Sequence, residues 1–153
     1  GIIGVGFVGG ATVEVFKQKH ELFLYDKYRT KYNSEKNILD LAQNSEVVFL
    51  SVPTPMKPSG EMDYSAIYNS LDLLLEATKK VNRNPNDIIV VIRSTAVSGT
   101  TDKLAEKYPF KFAFNPEFLK ERTAVEDMRN TNRVVIGSNN LEITKKIPRK
   151  ILS

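Results

Sequence analysis

The first nine residues, Gly1-Ile2-Ile3-Gly4-Val5-Gly6-Phe7-Val8-Gly9, join an apolar run to glycines at relative positions one, three and six. An amphipathic helix pattern follows as far as Phe16. This order of strand, turn and helix is the context that a dinucleotide-binding loop requires. Gly4 permits a tight turn, Gly6 leaves bare backbone for a pyrophosphate, and Gly9 lets the helix pack close to the strand. The same pattern also fits a glycine-rich turn in any α/β protein.

A second apolar run, Leu22 to Tyr25, ends in Asp26, twenty-two residues after Gly4. An acidic residue at about this spacing, after the second strand, can accept hydrogen bonds from both hydroxyls of an adenosine ribose. Its charge would repel a 2′-phosphate, so the sequence favours NAD over NADP. The alternative is that Asp26 is an ordinary turn residue at the end of a strand.

Composition narrows the class of protein. The 153 residues suit one domain, with 41% hydrophobic and 26% charged residues and a net charge of +4. Basic and acidic residues are mixed along the chain, which argues against a nucleic-acid partner. Cysteine is absent, which excludes disulfides, thiolate metal sites and cysteine nucleophiles on these residues. We predict no metal site, and, without an apolar run of membrane-spanning length or a signal peptide, a cytoplasmic protein.

Strand and helix patterns alternate along the chain, which predicts a Rossmann-type, doubly wound, mostly parallel sheet with helices on both faces. We expect a single domain over residues 1–153. After the strands that end near Gly4 and Asp26, four further strands are predicted, giving six in all: Val47–Leu50, Ile88–Ile92, Lys111–Phe114 and Arg133–Ile136.

Hydroxyls and carboxylates follow these strands at the edge where ligands bind in such sheets. Thr54 and Thr95 come after the third and fourth strands, and Glu117 and Glu121 come after the fifth. Such groups suit a polar ligand and proton transfer. Taken one at a time, each residue has a simpler explanation. Thr95 could be a helix-capping residue, and the two glutamates could be solvent-exposed surface residues.

Taken together and in order, five motifs resemble the NAD-binding domain of the UDP-glucose/GDP-mannose dehydrogenase family. The resemblance covers essentially the whole chain. It rests on Gly4-Val5-Gly6-Phe7-Val8-Gly9, Val52-Pro53-Thr54-Pro55, Arg93-Ser94-Thr95-Ala96-Val97-Ser98-Gly99-Thr100, Asn115-Pro116-Glu117-Phe118-Leu119 and Arg133-Val134-Val135-Ile136-Gly137.

The resemblance implies a nucleotide-sugar 6-dehydrogenase, an NAD-dependent oxidoreductase that oxidises the C6 alcohol of UDP-glucose or a similar sugar to a carboxylate. It implies that Thr95 and Glu117 position or activate a water for the final hydrolysis. Glu117, Phe118, Leu119, Lys120 and Glu121 would border the sugar. The residues implied to contact NAD are Gly4, Gly6, Val8, Gly9, Asp26, Lys31, Thr54, Thr95 and Glu121.

Several features depart from the family pattern. The stretch between Asp26 and Val47 is short, Ser98 replaces a proline, and Arg122 replaces a small residue beside Glu121. Arg122 could alter the sugar pocket or pair with Glu117. We expect the family's central and C-terminal domains, with its nucleophilic cysteine, to be absent from this chain, which therefore lacks turnover alone. The alternatives are a stand-alone NAD or nucleotide-binding module, or another small dehydrogenase on the same fold. The sequence is compatible with a homo-oligomer. Dimers of the family, however, rely on a central helix that we expect to be absent from these 153 residues.

Overall fold

A computed structural model describes residues 1–131 and 134–152. Within these ranges the strands form one parallel sheet of five, in the order β2-β1-β3-β4-β5. The elements along the chain are β1 (Ile2–Ile3), α1 (Phe7–Phe16), β2 (Leu24–Tyr25), α2 (Glu35–Asn44), β3 (Val47–Leu50), α3 (Ser65–Lys80), β4 (Ile89–Ile92), α4 (Thr100–Lys107), β5 (Lys111–Phe114), α5 (Ala124–Arg129) and α6 (Leu141–Leu152). Short 3₁₀ turns occupy Pro85–Asp87 and Glu121–Thr123.

The middle of the sheet is apolar because it is covered on both faces. All four residues of β4 are buried, and β3 pairs with it in parallel register, Val47 opposite Ile89 and Leu50 opposite Ile92. Strands buried on both faces read as continuous apolar runs without alternation. This confirms the predicted third, fourth and fifth strands.

Helices cover both faces, as the predicted doubly wound fold requires. On one face α2, α3 and α4 pack against Val48, Leu50, Val90 and Ile92, through core residues that include Leu41, Leu74 and Leu104. On the other face α6 and part of α1 pack against Ile2, Phe49 and Val91, through residues that include Ile143, Ile147, Val13 and Phe16. The predicted fold class is therefore confirmed.

The predicted sixth strand is wrong for the residues that the structure describes. Arg133 lies outside those residues, and Val134 to Ile136 are not in a strand. Gly137 makes only an isolated antiparallel bridge with Phe114. Val134 and Val135 are 40% and 51% exposed, whereas Ile136 is partly buried against the core cluster that contains Ile143 and Ile147. The Val135 carbonyl instead accepts a hydrogen bond from the Asn115 side chain, at 2.8 Å.

A turn and helix α2 connect β2 to β3. The turn begins at Asp26 and leads directly into α2, where the Ser34 hydroxyl accepts a hydrogen bond from the Asn37 N–H at 3.1 Å. The sheet has the 2-1-3-4-5 order, with β2 at one edge and β5 at the other. Doubly wound sheets bind ligands where the strand order reverses, which here is between β1 and β3.

Candidate functional site

The glycine loop after β1 lies at this reversal point. Gly4 has φ +87°, and a Cβ there would lie 2.5 Å from the Ser51 carbonyl oxygen. A Cβ at Gly9 would lie 1.9 Å from the Gly4 carbonyl oxygen. A Cβ at Gly6 would meet no described atom within 4 Å. Two of these glycines are therefore required by packing, whereas Gly6 leaves open space next to bare backbone.

Helix α1 begins at this open space. Gly6 is its N-cap residue and supplies no side-chain hydrogen bond, and the first turn carries no acidic side chain. The first N–H groups of a helix have no intrahelical acceptor, and the aligned peptide dipoles give that end a partial positive charge. Such a helix end is suited to bind a phosphate.

A cleft of about 460 Å³ opens beside this helix end, and we call it the glycine cleft. One wall is formed by the outer side of α1, including the half-exposed Phe7 ring. The other residues that line it include Gly6, Gly10, Arg29, Tyr32, Glu121 and Arg122. The cleft therefore brings the glycine loop together with the turn after β2 and the loop after β5.

Asp26 holds the glycine loop and the β2 turn together. Its side chain is buried, and Oδ2 accepts a hydrogen bond from the Val5 N–H at 2.6 Å. Oδ1 accepts from the N–H groups of Tyr28 and Arg29, at 2.8 and 3.1 Å. Asp26 is thus a turn residue, the alternative reading from the sequence. Asp26 does not line the glycine cleft, and its contact with a ribose stays a prediction, for which a carboxylate with about four lone-pair sites has the capacity.

Lys31, implied by the resemblance to contact NAD, does not itself line the glycine cleft, and that contact stays a prediction. It is exposed, and its Nζ lies 5.4 Å from the centre of the Tyr32 ring. The glycine cleft is lined by Arg29 and Tyr32 from this turn. Val8, also expected to contact NAD, lies half-buried on α1 outside the cleft lining.

The ends of β3 and β4 are tied together, as expected for neighbouring parallel strands. The Thr54 hydroxyl donates a hydrogen bond to the Thr95 carbonyl oxygen at 2.8 Å. The buried Ser94 hydroxyl accepts from the Val52 N–H at 3.0 Å and donates to the Val52 carbonyl oxygen at 2.7 Å. Ser94 thereby fixes the loop that carries Thr54, while Thr95 is exposed at the edge.

Glu117 and Glu121 line two different cavities. Glu121 starts a 3₁₀ turn and lines the glycine cleft. Glu117 lines a second cavity of about 420 Å³, called here the Arg93 cavity, together with Phe118 and Leu119. Thr95 lines neither. The two predicted catalytic residues therefore follow adjacent strands without sharing a described cavity.

Asp127 fastens the loop that carries the predicted sugar-binding residues. Its Oδ2 accepts hydrogen bonds from the Lys120 N–H and the Thr123 hydroxyl, both at 2.9 Å. The backbone hydrogen bond from Lys120, followed by that from Thr123, lowers the pKa of Asp127. No pattern in the sequence indicates this role, because an acidic residue in a polar helix is usually solvated.

Arg93 is a second residue that sequence reasoning missed. It is 6% exposed, and its Nη1 donates a hydrogen bond to the Thr12 hydroxyl at 2.7 Å. Burial lowers the pKa of Arg93, and the charge of the Glu117 carboxylate opposes that shift. The position of Arg93 directly after the four apolar residues of β4 could have indicated a buried arginine. Arg93 links β4 to α1 and lies near the Glu117 loop.

Comparison with known proteins identifies the family. Residues 21–151 match the UDP-glucose/GDP-mannose dehydrogenase family, NAD binding domain. The chain belongs to this family. The match begins after the glycine loop, so the loop geometry is evidence independent of it. The predicted cofactor, NAD, is confirmed at the level of this family domain.

Relatives in the family are much longer than this chain. A UDP-glucose 6-dehydrogenase of Rickettsia felis is 36% identical over 130 residues, and the alignment covers 82% of this chain and 26% of that protein. A UDP-glucose 6-dehydrogenase of Bacillus subtilis is 31% identical over 124 residues, covering 68% of this chain and 25% of that protein. The chain thus spans about a quarter of the length of the curated relatives it matches.

Solved structures of the family share the fold. A GDP-mannose dehydrogenase from Pseudomonas aeruginosa superposes with a TM-score of 0.79 at 25% identity, covering 98% of this chain and 43% of that one. A UDP-glucose dehydrogenase from Pyrobaculum islandicum gives 0.76 at 22% identity, covering 96% and 42%, which supports the fold alone. None of the helices in the described ranges combines the length and hydropathy of a membrane-spanning segment.

Two departures from the family pattern have structural consequences. The short stretch after Asp26 leaves a compact turn in which the Tyr32 N–H donates to the Arg29 carbonyl oxygen at 2.8 Å. Arg122 lines the glycine cleft, whereas Glu117 lines the Arg93 cavity. The bulky cation therefore stands on the side of this loop that borders the glycine cleft.

Proposed function

We propose that this chain is the cofactor-binding part of a nucleotide-sugar 6-dehydrogenase acting on UDP-glucose or a similar sugar. The observation that carries the proposal is the open space at Gly6, at the uncapped N-terminus of α1 and beside the Asp26 carboxylate. An anionic pyrophosphate and an adjoining ribose match these groups in charge and in hydrogen bonding. We also propose that residues 1–153 act as one domain.

When bound, NAD would accept a hydride from the sugar C6 carbon. The proposed work of the chain is to hold the phosphates on the Gly6 backbone and the ribose on Asp26. The loop after β5 would border the sugar, and its fastening by Asp127 supports a fixed position for that loop. Thr95 would orient the hydrolytic water, and Glu117 would accept its proton, which are ordinary roles for a hydroxyl and a carboxylate.

Binding without turnover is the second candidate function for this chain alone. It is favoured by the absence of cysteine from the 153 residues, since a covalent thiol intermediate cannot form on them. The chain also spans only about a quarter of its relatives' length, so we expect most sugar contacts to be missing from it as well. With UDP-glucose and NAD, we therefore expect no steady NADH production from the purified chain, measured by absorbance. Cytoplasmic location and a homo-oligomer remain predictions from the sequence.

Calorimetric titration tests the cofactor role directly. We expect NAD to bind with a dissociation constant between about 1 µM and 1 mM, the range usual for enzyme ligands. NADP should bind more weakly, because its 2′-phosphate would approach the Asp26 carboxylate. Equal affinity for the two dinucleotides would contradict the ribose role of Asp26, and no binding of either would contradict the proposed function.

Replacement of Gly6 by alanine isolates the phosphate contact. The new methyl group points into open space, so the free energy of unfolding should change by no more than about 0.5 kcal/mol. NAD affinity should nevertheless fall about tenfold, because the methyl group occupies the approach of the pyrophosphate. Gly137→Ala, which also has open space but lies outside the glycine cleft, serves as the matched control. Unchanged NAD affinity in Gly6→Ala would argue against a phosphate at this loop.

A further inference from the structure

The turn after β2 presents three cations within five residues, and only one of them lines the glycine cleft. Arg29 lines it, on the same side as Tyr32 and facing the loop after β5. Lys27 places its Nζ 5.6 Å from the centre of the Tyr28 ring, and Lys31 places its Nζ 5.4 Å from that of Tyr32. Lys27 therefore lies over the exposed Tyr28 ring, and Lys31 lies over the half-buried Tyr32 ring without itself lining the cleft.

We propose that Arg29, and not Lys31, is the cation that pairs with the pyrophosphate of the bound dinucleotide, with Tyr32 forming the wall beside it. This assignment rests on the proposed cofactor role of the same cleft. A guanidinium group binds phosphate oxygens through two parallel hydrogen bonds, which a lysine cannot reproduce. Gly6 and Arg29 line one cleft, so a phosphate on the bare loop lies within the region that Arg29 borders.

The main chain of Arg29 is fixed independently of its side chain. Its N–H donates to Asp26 Oδ1, and its carbonyl oxygen accepts from the Tyr32 N–H. Both hydrogen bonds survive truncation to alanine, so the turn keeps its shape when the guanidinium is removed. The side chain is exposed and therefore contributes to the ligand surface more than to the stability of the turn.

Arg122 is a further cation in the cleft, but its surroundings differ. It lies on the wall formed by the loop after β5, where Glu121 and Glu126 bring two carboxylates to the cleft lining. The turn that carries Arg29 contributes one carboxylate, Asp26, and this already accepts hydrogen bonds from three backbone N–H groups. Arg29 is consequently the better match for a ligand that brings negative charge to the glycine loop.

The test compares five proteins by calorimetry with NAD, ADP and adenosine: the unmodified chain, Arg29→Ala, Arg29→Lys, Lys31→Ala and Lys27→Ala. Arg29→Ala should weaken NAD and ADP about tenfold, the usual effect of losing a charged hydrogen bond, and leave adenosine unchanged. Lys27→Ala should change none of the three by more than about twofold. Arg29→Lys should recover part of the lost affinity.

Salt dependence supplies a readout that a structural role would not move. The affinity of the unmodified chain for ADP should fall with rising salt, and Arg29→Ala should reduce that slope. If the unmodified chain binds NAD but Arg29→Ala matches it, or Lys31→Ala weakens binding more, the assignment of Arg29 is overturned while the proposed function stands. If the unmodified chain binds neither NAD nor ADP, both are overturned.

Discussion

Gly9→Ala is expected to destabilise the domain by more than about 3 kcal/mol, beyond the usual cost of an added core methyl group. The alanine Cβ would lie 1.9 Å from the Gly4 carbonyl oxygen and 3.0 Å from the Gly4 carbonyl carbon. Both are backbone atoms, so no rotamer change relieves the contact. Gly4 itself cannot move away, because its left-handed conformation and its contact with Ser51 fix the turn. Helix α1 would have to separate from β1.

Gly10→Ala is the matched control, one residue further along the same helix. An added Cβ there meets no described atom within 4 Å, and glycine inside a helix costs about 0.5–1 kcal/mol relative to alanine. This variant should therefore be as stable as the unmodified chain or slightly more stable. Urea unfolding followed by far-UV circular dichroism compares the three proteins. Equal midpoints for the Gly9 and Gly10 variants would contradict the close packing of α1 on the turn.

The glycine loop and the central strands were predictable from sequence because their causes are local. A left-handed turn at Gly4 and a close helix contact at Gly9 each require the absence of a side chain at one position. Strands β3 and β4 are short apolar runs that end in turn residues, and such runs have few alternatives in an α/β chain. These features needed no knowledge of distant contacts.

The sixth strand failed for the opposite reason. Val134 to Ile136 have the composition of a strand, but pairing requires that the segment lie alongside β5 and keep a hydrogen-bonding register with it over several residues. The structure shows instead the isolated Gly137 bridge, one hydrogen bond from Asn115, and the packing of Ile136 on the core. Neither condition can be read from the residues themselves, because both depend on the path of the chain after β5.

The site was predictable in position but not in its connections. The expected groups do follow the strand ends, yet Glu117 and Glu121 line separate cavities. The contact between Arg93 and Thr12 spans 81 positions, and nothing in either local pattern indicates it. Lys31 does not line the glycine cleft, so its contact with NAD stays a prediction from the resemblance.

Asp26→Asn is expected to lower the free energy of unfolding by about 2–4 kcal/mol, because hydrogen bonds to a buried charged group are lost. The carboxylate accepts from Val5 on one oxygen and from Tyr28 and Arg29 on the other. An asparagine has one acceptor oxygen, so its NH₂ group must face N–H donors on one of the two sides. At least one buried N–H would then lack an acceptor. Urea unfolding measures the loss.

Asp40→Asn provides the control for a change of charge alone. Asp40 is partly exposed and pairs with Lys36 on the surface of α2, where such pairs contribute about 0–1 kcal/mol. Its replacement should therefore shift the unfolding midpoint only slightly. An Asp26→Asn protein as stable as Asp40→Asn would contradict the role of Asp26 in holding the glycine loop.

Because Asp26 supports the loop, weaker NAD binding in its variants does not by itself identify a ribose contact. ADP and 2′-deoxy-ADP separate the two effects, since they differ only in the 2′-hydroxyl, one of the two ribose hydroxyls from which Asp26 would accept a hydrogen bond. The unmodified chain should bind ADP more tightly than 2′-deoxy-ADP. A displaced loop would weaken both ligands equally and preserve their ratio, whereas loss of the ribose contact would bring the ratio close to one. We expect the ratio to collapse in Asp26→Asn, measured by calorimetry below its unfolding temperature. A preserved ratio would limit Asp26 to its structural role.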